Sequence, residues 1–585
     1  MLKTNKMQKS NIIFLKNTQN PVKILFLNLT ALIIVLSMFF CLSLAAKGTT
    51  IDINNYETAH VSLASSNLPY YALMTSVRIF IAIIFSLIFA LFIATLAAKS
   101  KKAEEIILPL LDILQSIPIL GYASFAVTFF VALSPHKVLG VEMAVIFVIF
   151  TSQVWNITFS MHQSLKTVPQ DIIDASIVFG LSSWQRFWLV ELPFAVPGLI
   201  WNIMVSVSGS WFFIVASEAI SVGNINYTLP GIGSYLGTAI TQKDWHAIIY
   251  SILTTLILII LYDKLIFQPL VIWSKKFKYE MVNTQDISES WVYNILSKSV
   301  LLKILFKPCV WFIKNIFKFN FGRPIALSTS TKIIFISEKK LNNIWYGAIT
   351  LLIATLACYI AAFLYNFSSF NEITYVLFLG AVTSFRIFIL IFLALIILIP
   401  IGVYIGLNAK LAAKAQPIML FLAAFPANLL FPFFVIIIIN NNLNPNIWLS
   451  PLIILGAQWY ILLNIIAGVS ALPRELLEAA SLFNIKGLIF LRKVILPSIL
   501  PYIITGSLCA SGGAWNASIV AEAVNWGGTT LYATGLGAYI AQNTVAGEYH
   551  NISLGVCIMC FYVMLLNKLV WRPLYKLTEK TLHLG

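Results

Sequence analysis

The chain has 585 residues, of which 59% are hydrophobic and only 10% are charged, and its mean hydropathy is +0.89. Soluble domains average about a quarter charged residues, so this composition excludes an ordinary soluble protein and indicates a polytopic membrane protein. The formal net charge of +16 reflects basic residues placed between apolar runs, a pattern that predicts contact with lipid and no nucleic-acid partner.

Twelve apolar runs are long enough to span a membrane, six on either side of a polar centre. We therefore predict an all-α polytopic protein with a first half over residues 1–270, a basic linker over residues 271–342 and a second half over residues 343–585. The predicted spans cover residues 22–46, 70–98, 106–134, 141–161, 194–220, 246–270, 343–366, 375–407, 415–440, 446–470, 498–524 and 549–571.

The basic residues fall in alternate loops. Five lysines lie before or at the start of the first apolar run, twelve Lys and Arg residues lie from Lys275 to Lys340, and four more close the chain from Lys568 onward. The intervening loops of the first half carry only Lys47, Lys137 and Lys243. By the positive-inside rule, both termini and the linker are predicted to be cytoplasmic.

Part of the linker is predicted to be amphipathic. Residues 300–319 mix bulky apolar side chains with Lys303, Lys307, Lys314 and Lys318, a pattern typical of a helix lying on the inner leaflet. A plain tether between the halves is the alternative.

The two halves repeat one another. Thr75 and Arg78 match Thr383 and Arg386 at an offset of 308 residues, and from Pro169 onward the offset becomes 304. An even number of spans in each half returns the chain to the same side of the membrane, so the repeats are expected to be parallel.

The most polar repeated segments follow the fourth span of each half, at residues 162–193 and 471–497. Each begins with a proline, Pro169 or Pro473, followed by acidic residues where a helix N-terminus favours them. A second short helix and then Pro193 or Pro497 are predicted to lead back into the membrane. We interpret these segments as cytoplasmic docking loops; ordinary connecting loops are the alternative.

These loops resemble the coupling loop of ABC importer permeases, which has Glu-Ala-Ala, three residues, Gly, nine residues, Ile, any residue and Leu-Pro. Ser176 replaces an alanine of that pattern in the first copy and Asn484 replaces the glycine in the second; Asn tolerates a left-handed turn, so the turn is expected to survive. The residues carried over as ATPase-coupling are Asp174, Ala175, Ser176, Gly180, Leu192 and Pro193 in the first half, and Glu478, Ala479, Ala480, Asn484, Leu496 and Pro497 in the second.

A downstream series of Trp, Glu and Gly-x-Gly residues is similar to the nitrate, sulfonate and taurine branch of the same superfamily. The resemblance implies a type I importer permease in the inner membrane that moves a small anion such as nitrate, a sulfonate or bicarbonate. It implies two cytoplasmic ABC ATPase subunits and a periplasmic solute-binding protein as partners. Homodimerisation is not required, because both halves are fused. The chain has no G-x-x-x-x-G-K-[ST] motif, so ATP and Mg are expected to bind the partner ATPase subunits, with no cofactor in this chain.

Charged residues within spans are candidates for function. Arg78 and Arg386 could contact an anion, or could form structural or gating ion pairs with Glu218 and Glu522; the second interpretation is favoured. Trp211 and Trp515 could line the pathway, although packing against small residues is the favoured role.

Two other classes of protein are compatible with a polytopic composition. A twelve-span secondary transporter of the major-facilitator type also has parallel halves, but the loop at Lys99–Glu105 lacks the Gly- and Arg-rich signature expected there. A membrane-embedded enzyme ranks far lower, because the spans carry no catalytic nucleophile–base pair and no metal-binding cluster.

Overall fold

The computed structural model describes residues 61–134, 137–222, 225–277, 290–305, 307–318 and 369–574, with a few positions between 28 and 32 and between 347 and 362. The predicted spans at 22–46 and 343–366 therefore lie almost wholly outside the described residues. Within the described part, seven helices are long and apolar enough to cross a membrane, or nine if each of two bent helix pairs forms one span. The all-α polytopic fold is confirmed.

Each half has the same succession of elements. The first half contains α1 Leu68–Lys99, α2 Lys101–Ser116, α3 Ala123–Leu133, α4 Val138–Lys166, α5 Gln170–Val178, α6 Ser183–Ser217, β1 Ala219–Val222, β2 Ile225–Thr228, α7 Ile232–Gln242 and α8 Trp245–Phe277. The linker contains α9 Trp291–Lys298, α10 Val300–Leu305 and α11 Lys307–Lys318.

The second half repeats the pattern with one extra interruption. Its elements are α12 Phe370–Gly406, α13 Ala409–Ala424, α14 Phe431–Asn440, α15 Pro445–Ile454, α16 Gln458–Ser470, α17 Arg474–Leu482, α18 Gly487–Ala521, β3 Ala523–Trp526, β4 Thr529–Tyr532, α19 Leu536–Ala546 and α20 Tyr549–Leu574.

Two predicted continuous spans, 106–134 and 415–440, are wrong in one respect: each is broken. Pro118 and Pro426 disfavour helical backbone at the residue before them, and Ile117 and Phe425 are accordingly extended, with ψ of 123° at both. In the second half the two parts meet at 74°. A short 3₁₀ turn follows each proline, so a non-helical segment interrupts these spans.

The predicted span 446–470 is also broken, whereas its counterpart α4 is not. The two parts, α15 and α16, meet at 43° near Gly456. A Cβ at Gly456 would lie 3.3 Å from the Cβ of Ala427, so the glycine permits close packing where Ser152 stands in the first half. Glycine costs about 1 kcal/mol relative to alanine inside a helix, which favours a break at this position.

In the part of the chain that the structure describes, two small antiparallel hairpins interrupt the helical fold. β1 pairs with β2 and β3 pairs with β4, with Ala219 opposite Thr228 and Ala523 opposite Tyr532. Each hairpin follows the long fifth-span helix and leads into a short helix, α7 or α19. The hairpins are not predictable from the sequence, because four-residue strands are too short to show a period.

Candidate functional site

The coupling segments are shorter than the predicted ranges of 162–193 and 471–497. Helix α4 continues to Lys166, and α6 already begins at Ser183. The predicted second short helix does begin at Ser183, but it is not separate from the next span. Helix α6 runs without a break past Pro193, because a wider π turn over Phe187–Glu191 precedes the proline. The second copy has the same π turn over Leu491–Ile495, before Pro497. The polar connection in each half is therefore essentially one short helix, α5 or α17.

Both short helices end in the same left-handed turn. Gly180 has φ of 68° and Asn484 has φ of 54°. The N–H of Leu181 donates to the carbonyl oxygen of Ser176 at 3.1 Å, and that of Ile485 donates to Ala480 at 2.9 Å. These are the hydrogen bonds of a helix end closed by a left-handed residue. The turn expected to survive the Gly-to-Asn replacement is present.

The positions of each loop that match the coupling-loop pattern divide into exposed and buried ones. Asp174 and Glu478 are exposed, whereas Ser176 and Ala480 are buried. Ala175 is exposed and Ala479 is half-buried. The Leu-Pro pairs of the pattern lie on the long helices α6 and α18. Their half-buried members are Leu192, Pro193 and Leu496, and their exposed member is Pro497. A small residue is therefore needed where each coupling helix packs back on the bundle, while its acidic residue faces outward.

A pair of apolar residues at the tip of each coupling helix escaped the sequence analysis. The exposed fractions of Val178 and Phe179 are 85% and 81%, and those of Leu482 and Phe483 are 85% and 79%. The two pairs occupy equivalent positions in the repeat. Exposed bulky apolar pairs at the end of a soluble loop mark a surface for a protein partner. The sequence does contain a signal for these pairs: in both copies a large aliphatic residue followed by Phe stands just before the left-handed residue.

At the opposite end of the bundle, Arg78 is held in an ion-pair network. Its Nη1 donates to Glu218 Oε1 at 2.6 Å, and its Nε and Nη2 each donate to one oxygen of Glu142 at 2.7 Å. The hydroxyl of Thr75 also donates to Glu218, at 2.7 Å. The side chain of Arg78 is only 3% exposed. Its donors are therefore largely engaged by protein oxygens.

The Glu218 carboxylate also holds the start of α7. Gly233 N–H donates to Glu218 Oε2 at 2.7 Å, where the helix N-terminus favours a negative charge. A Cβ at Gly231 would lie 2.3 Å from the carboxyl group, so this position must lack a side chain. The network therefore fixes the segment after the first hairpin against α1 and α6.

The second half builds the same network with one member fewer. Arg386 Nη1 donates to Glu522 Oε1 at 2.5 Å, and Glu522 Oε2 accepts from Gly537 N–H at 2.7 Å. Asn446 stands where Glu142 stands in the first half, and it accepts from Thr534 N–H at 2.6 Å instead. The ion pairs favoured for Arg78 and Arg386 by the sequence are thus present, and they favour a structural role over direct contact with an anion.

Trp211 and Trp515 are each 1% exposed. The Trp211 ring packs edge-on against Tyr262 with centroids 5.4 Å apart. Both residues are part of the hydrophobic core, so the geometry favours packing over lining an open pathway.

The broken helices bring the two halves together. Ile119 N–H, in the turn between α2 and α3, donates to Asn516 Oδ1 on α18 of the other half at 2.6 Å. Beyond the breaks, Phe125 lies 6.0 Å from Tyr549, and Phe433 lies 5.3 Å from Trp245, ring centroid to ring centroid. We call these two pairs the aromatic contacts. They are equivalent in the repeat, and each joins the helix after one break to the sixth span of the other half.

Comparison with known proteins gives two matches to one family along the chain. The family is described as the binding-protein-dependent transport system inner membrane component, and it matches residues 82–267 and again residues 398–572.

Relatives include the nitrate import permease NrtB of Synechocystis sp., 29% identical over 171 residues, which are 29% of this chain and 57% of that protein. The bicarbonate transport permease CmpB of Synechococcus elongatus is 32% identical over 178 residues, covering 30% of this chain and 61% of the relative. The glycine betaine permease OpuAB of Bacillus subtilis is 27% identical over 170 residues, covering 29% and 55%. In each case the aligned part is a little over half of the relative's length.

Proposed function

Because this chain belongs to the family of binding-protein-dependent transport system inner membrane components, and carries the family's permease body twice, we propose that it is the complete membrane pathway of an ATP-driven importer for a small anion. Family membership decides between the two transporter classes that the sequence left open, in favour of the ABC permease. The chain is an inner-membrane, multi-pass transport subunit. The sites at which partners dock, and the solute, form the proposal.

One observation carries the proposal: the chain presents two equivalent coupling helices, each with an exposed apolar tip and an outward acidic residue. Val178 and Phe179 form one tip, and Leu482 and Phe483 form the other. Two matched tips suit two ATPase subunits, each with one binding cleft. The coupling helices are on the face that charge distribution predicts to be cytoplasmic, where ATP is available.

The mechanism follows from how the halves are joined. ATP-driven approach of the two ATPase subunits would move the coupling helices, and through the long helices α6 and α18 would rock the two halves. The halves meet at the breaks after Pro118 and Pro426 and at the aromatic contacts. Separation of these contacts would open the end that receives the solute from a periplasmic binding protein.

A small anion is proposed as the solute because relatives are named for nitrate and bicarbonate. A zwitterion such as glycine betaine is the second candidate. Two observations favour this second candidate. Arg78 and Arg386 are engaged in ion pairs, so they are not free to bind an anion. One relative is a glycine betaine permease.

The test is reconstitution of the purified chain in proteoliposomes with candidate ABC ATPase and solute-binding proteins from the same organism. Uptake of labelled nitrate, bicarbonate and glycine betaine should depend on ATP and on both partners. Uptake of an anion, with no competition from excess glycine betaine, supports the proposal; the reverse pattern supports the second candidate. Solute uptake driven by an ion gradient without ATP would overturn both.

A further inference from the structure

The linker helices α10 and α11 expose apolar side chains that water would not favour. Ile304, Trp311 and Phe312 have exposed fractions of 66%, 65% and 61%. Lys303, Lys307 and Lys314 are exposed in the same two helices, and no acidic residue occurs between Ser290 and Ser337. A segment that exposes both bulky apolar and cationic side chains, with no anionic ones, is complementary to an anionic lipid surface.

The lysines of α11 lie on a different face from Phe312 and Ile316, and Trp311 lies beside the lysines. Lys307 and Lys314 are seven residues apart, which places them on one side of the helix, whereas Phe312 and Ile316, four residues apart, lie on the opposite side. This arrangement allows the helix to lie flat at a membrane surface with the lysines at headgroup level.

The segment is fixed at both ends to the first half. At the start of α10, Asn28 Oδ1 accepts from Ser299 Oγ at 2.9 Å and from Val300 N–H at 3.0 Å. At the end of α11, the indole N–H of Trp184 donates to the carbonyl oxygen of Ile316 at 2.8 Å. The Phe317 ring stacks on Trp188, with centroids 4.4 Å apart and planes inclined by 12°.

Trp184 and Trp188 lie at the beginning of α6, between the coupling helix and the membrane-spanning part of the same helix. This position sets the height of α11: it lies where a helix enters the bilayer, the level at which Trp is enriched. A membrane surface is therefore within reach of the exposed face of α11, and this favours lipid over a soluble protein as its partner.

The second half lacks the two tryptophans to which α11 is attached. Leu488 and Arg492 stand at the positions of Trp184 and Trp188, and Leu488 is 79% exposed. The aliphatic side chain of Leu488 cannot donate the hydrogen bond that the Trp184 indole donates, and Arg492 replaces the Trp188 ring by a cation, which the lysines of α11 would repel. The attachment of α11 is therefore specific to the first coupling loop.

We propose that α10 and α11 form a lipid-bound strap, which binds anionic headgroups and holds the base of the first coupling loop through Trp184 and Trp188. The strap makes the two coupling loops unequal: only the first responds to the charge of the surrounding membrane. This inference rests on the proposed function, because it assumes that the coupling loops lie on the cytoplasmic side of the membrane.

The direct test needs no ATPase. Spin labels are attached at F312C and K314C in a chain without native cysteines, in nanodiscs of phosphatidylcholine with or without phosphatidylglycerol. In anionic discs the label at position 312 should be accessible to oxygen. Its collision rate with a water-soluble nickel reagent should be at least fivefold lower than that of the label at position 314. Equal access of both labels to the nickel reagent would overturn the proposal, as would shielding that needs added ATPase.

The functional test compares ATP-dependent uptake in anionic and neutral proteoliposomes. The variant K303Q/K307Q/K314Q should lose most of the response to anionic lipid, while K410Q/K414Q, which removes two exposed lysines from α13, should keep it. W188A should release the strap and give uptake that no longer depends on lipid charge. An unchanged lipid response in the triple variant would refute the strap, whereas no uptake by the wild-type chain in any lipid would refute the proposed function instead.

Discussion

Arg78 Nη1 lies 2.6 Å from Glu218 Oε1, inside the membrane-spanning part of the protein. The same contact recurs between Arg386 and Glu522 in the second half. In both halves the carboxylate bridges the arginine, a threonine and the N-terminus of a short helix. The arginines that first suggested anion binding thus hold each hairpin and its following helix to the bundle.

We expect R78M to destabilise the protein more than R386M. Removal of Arg78 leaves two carboxylates, Glu142 and Glu218, without their cation, whereas removal of Arg386 leaves only Glu522. An uncompensated buried charge costs about 3–5 kcal/mol. Thermal unfolding in detergent, followed with a thiol-reactive dye, should show a lower midpoint for R78M.

A matched double variant tests this reasoning. In R78M/E142Q one of the two stranded charges is removed, so the unfolding midpoint should recover part of the loss. If R78M and R386M unfold at the same temperature, Glu142 contributes no stranded charge and the account of the asymmetry is wrong.

The apolar tips should carry much of the binding energy for the ATPase subunits. Burial of a Phe side chain stabilises by about 1.5–3 kcal/mol, so F179E and F483E should each weaken ATPase binding by about tenfold or more. Affinity measured by interferometry on the purified chain gives the comparison. The control is V545E, at an exposed site on α19, the helix that follows the second hairpin. This variant should leave ATPase affinity unchanged. An equal loss of affinity in F179E, F483E and V545E would point to misfolding.

The acidic residues of the coupling helices should affect the same interaction more weakly. Asp174 and Glu478 are exposed, and exposed charges contribute about 0.2–1 kcal/mol. D174K/E478K should therefore weaken ATPase binding by several fold while the chain remains inserted and monodisperse. Unchanged pull-down of the ATPase at low salt would argue against docking at these helices.

The two left-handed turns should respond oppositely to substitution. G180A places a Cβ on a residue with φ of 68° and should loosen the first turn, whereas N484G relieves a φ of 54° and should tighten the second. The expected changes are about 0.5–1 kcal/mol. Hydrogen–deuterium exchange of residues 176–185 and 480–489 measures them; faster exchange of the second turn in N484G would contradict the assignment.

The aromatic contacts should have to separate during transport. A short thiol-specific cross-linker between F125C and Y549C, or between F433C and W245C, should stop ATP-dependent uptake, and reduction of the link should restore it. Cross-linking Y122C to F147C, whose native rings lie 6.4 Å apart within the first half, should leave uptake intact. Full uptake with the links quantitatively formed would show that the halves transport without parting there.

The sequence by itself determined the class of protein, the repeat and where the two matched polar segments lie along the chain. These follow from local or additive properties: the lengths of apolar runs, the alternation of basic loops and the recurrence of matched residues such as Pro169 and Pro473. The partners Glu218 and Glu522 were also within reach of the sequence, because a charge in a span needs a counter-charge at similar depth.

Only the tertiary structure decided how the halves meet and how they differ. The 74° bend after Pro426 could not be inferred from hydropathy, because an apolar run reads the same whether straight or broken. Packing between residues far apart in the chain sets three further features. These are the ion pair of Glu142 with Arg78, the exposure of the apolar tips and the stacking of Phe317 on Trp188. Hydropathy reports the solvent that a segment prefers, whereas side-chain partners depend on which helices the fold places side by side.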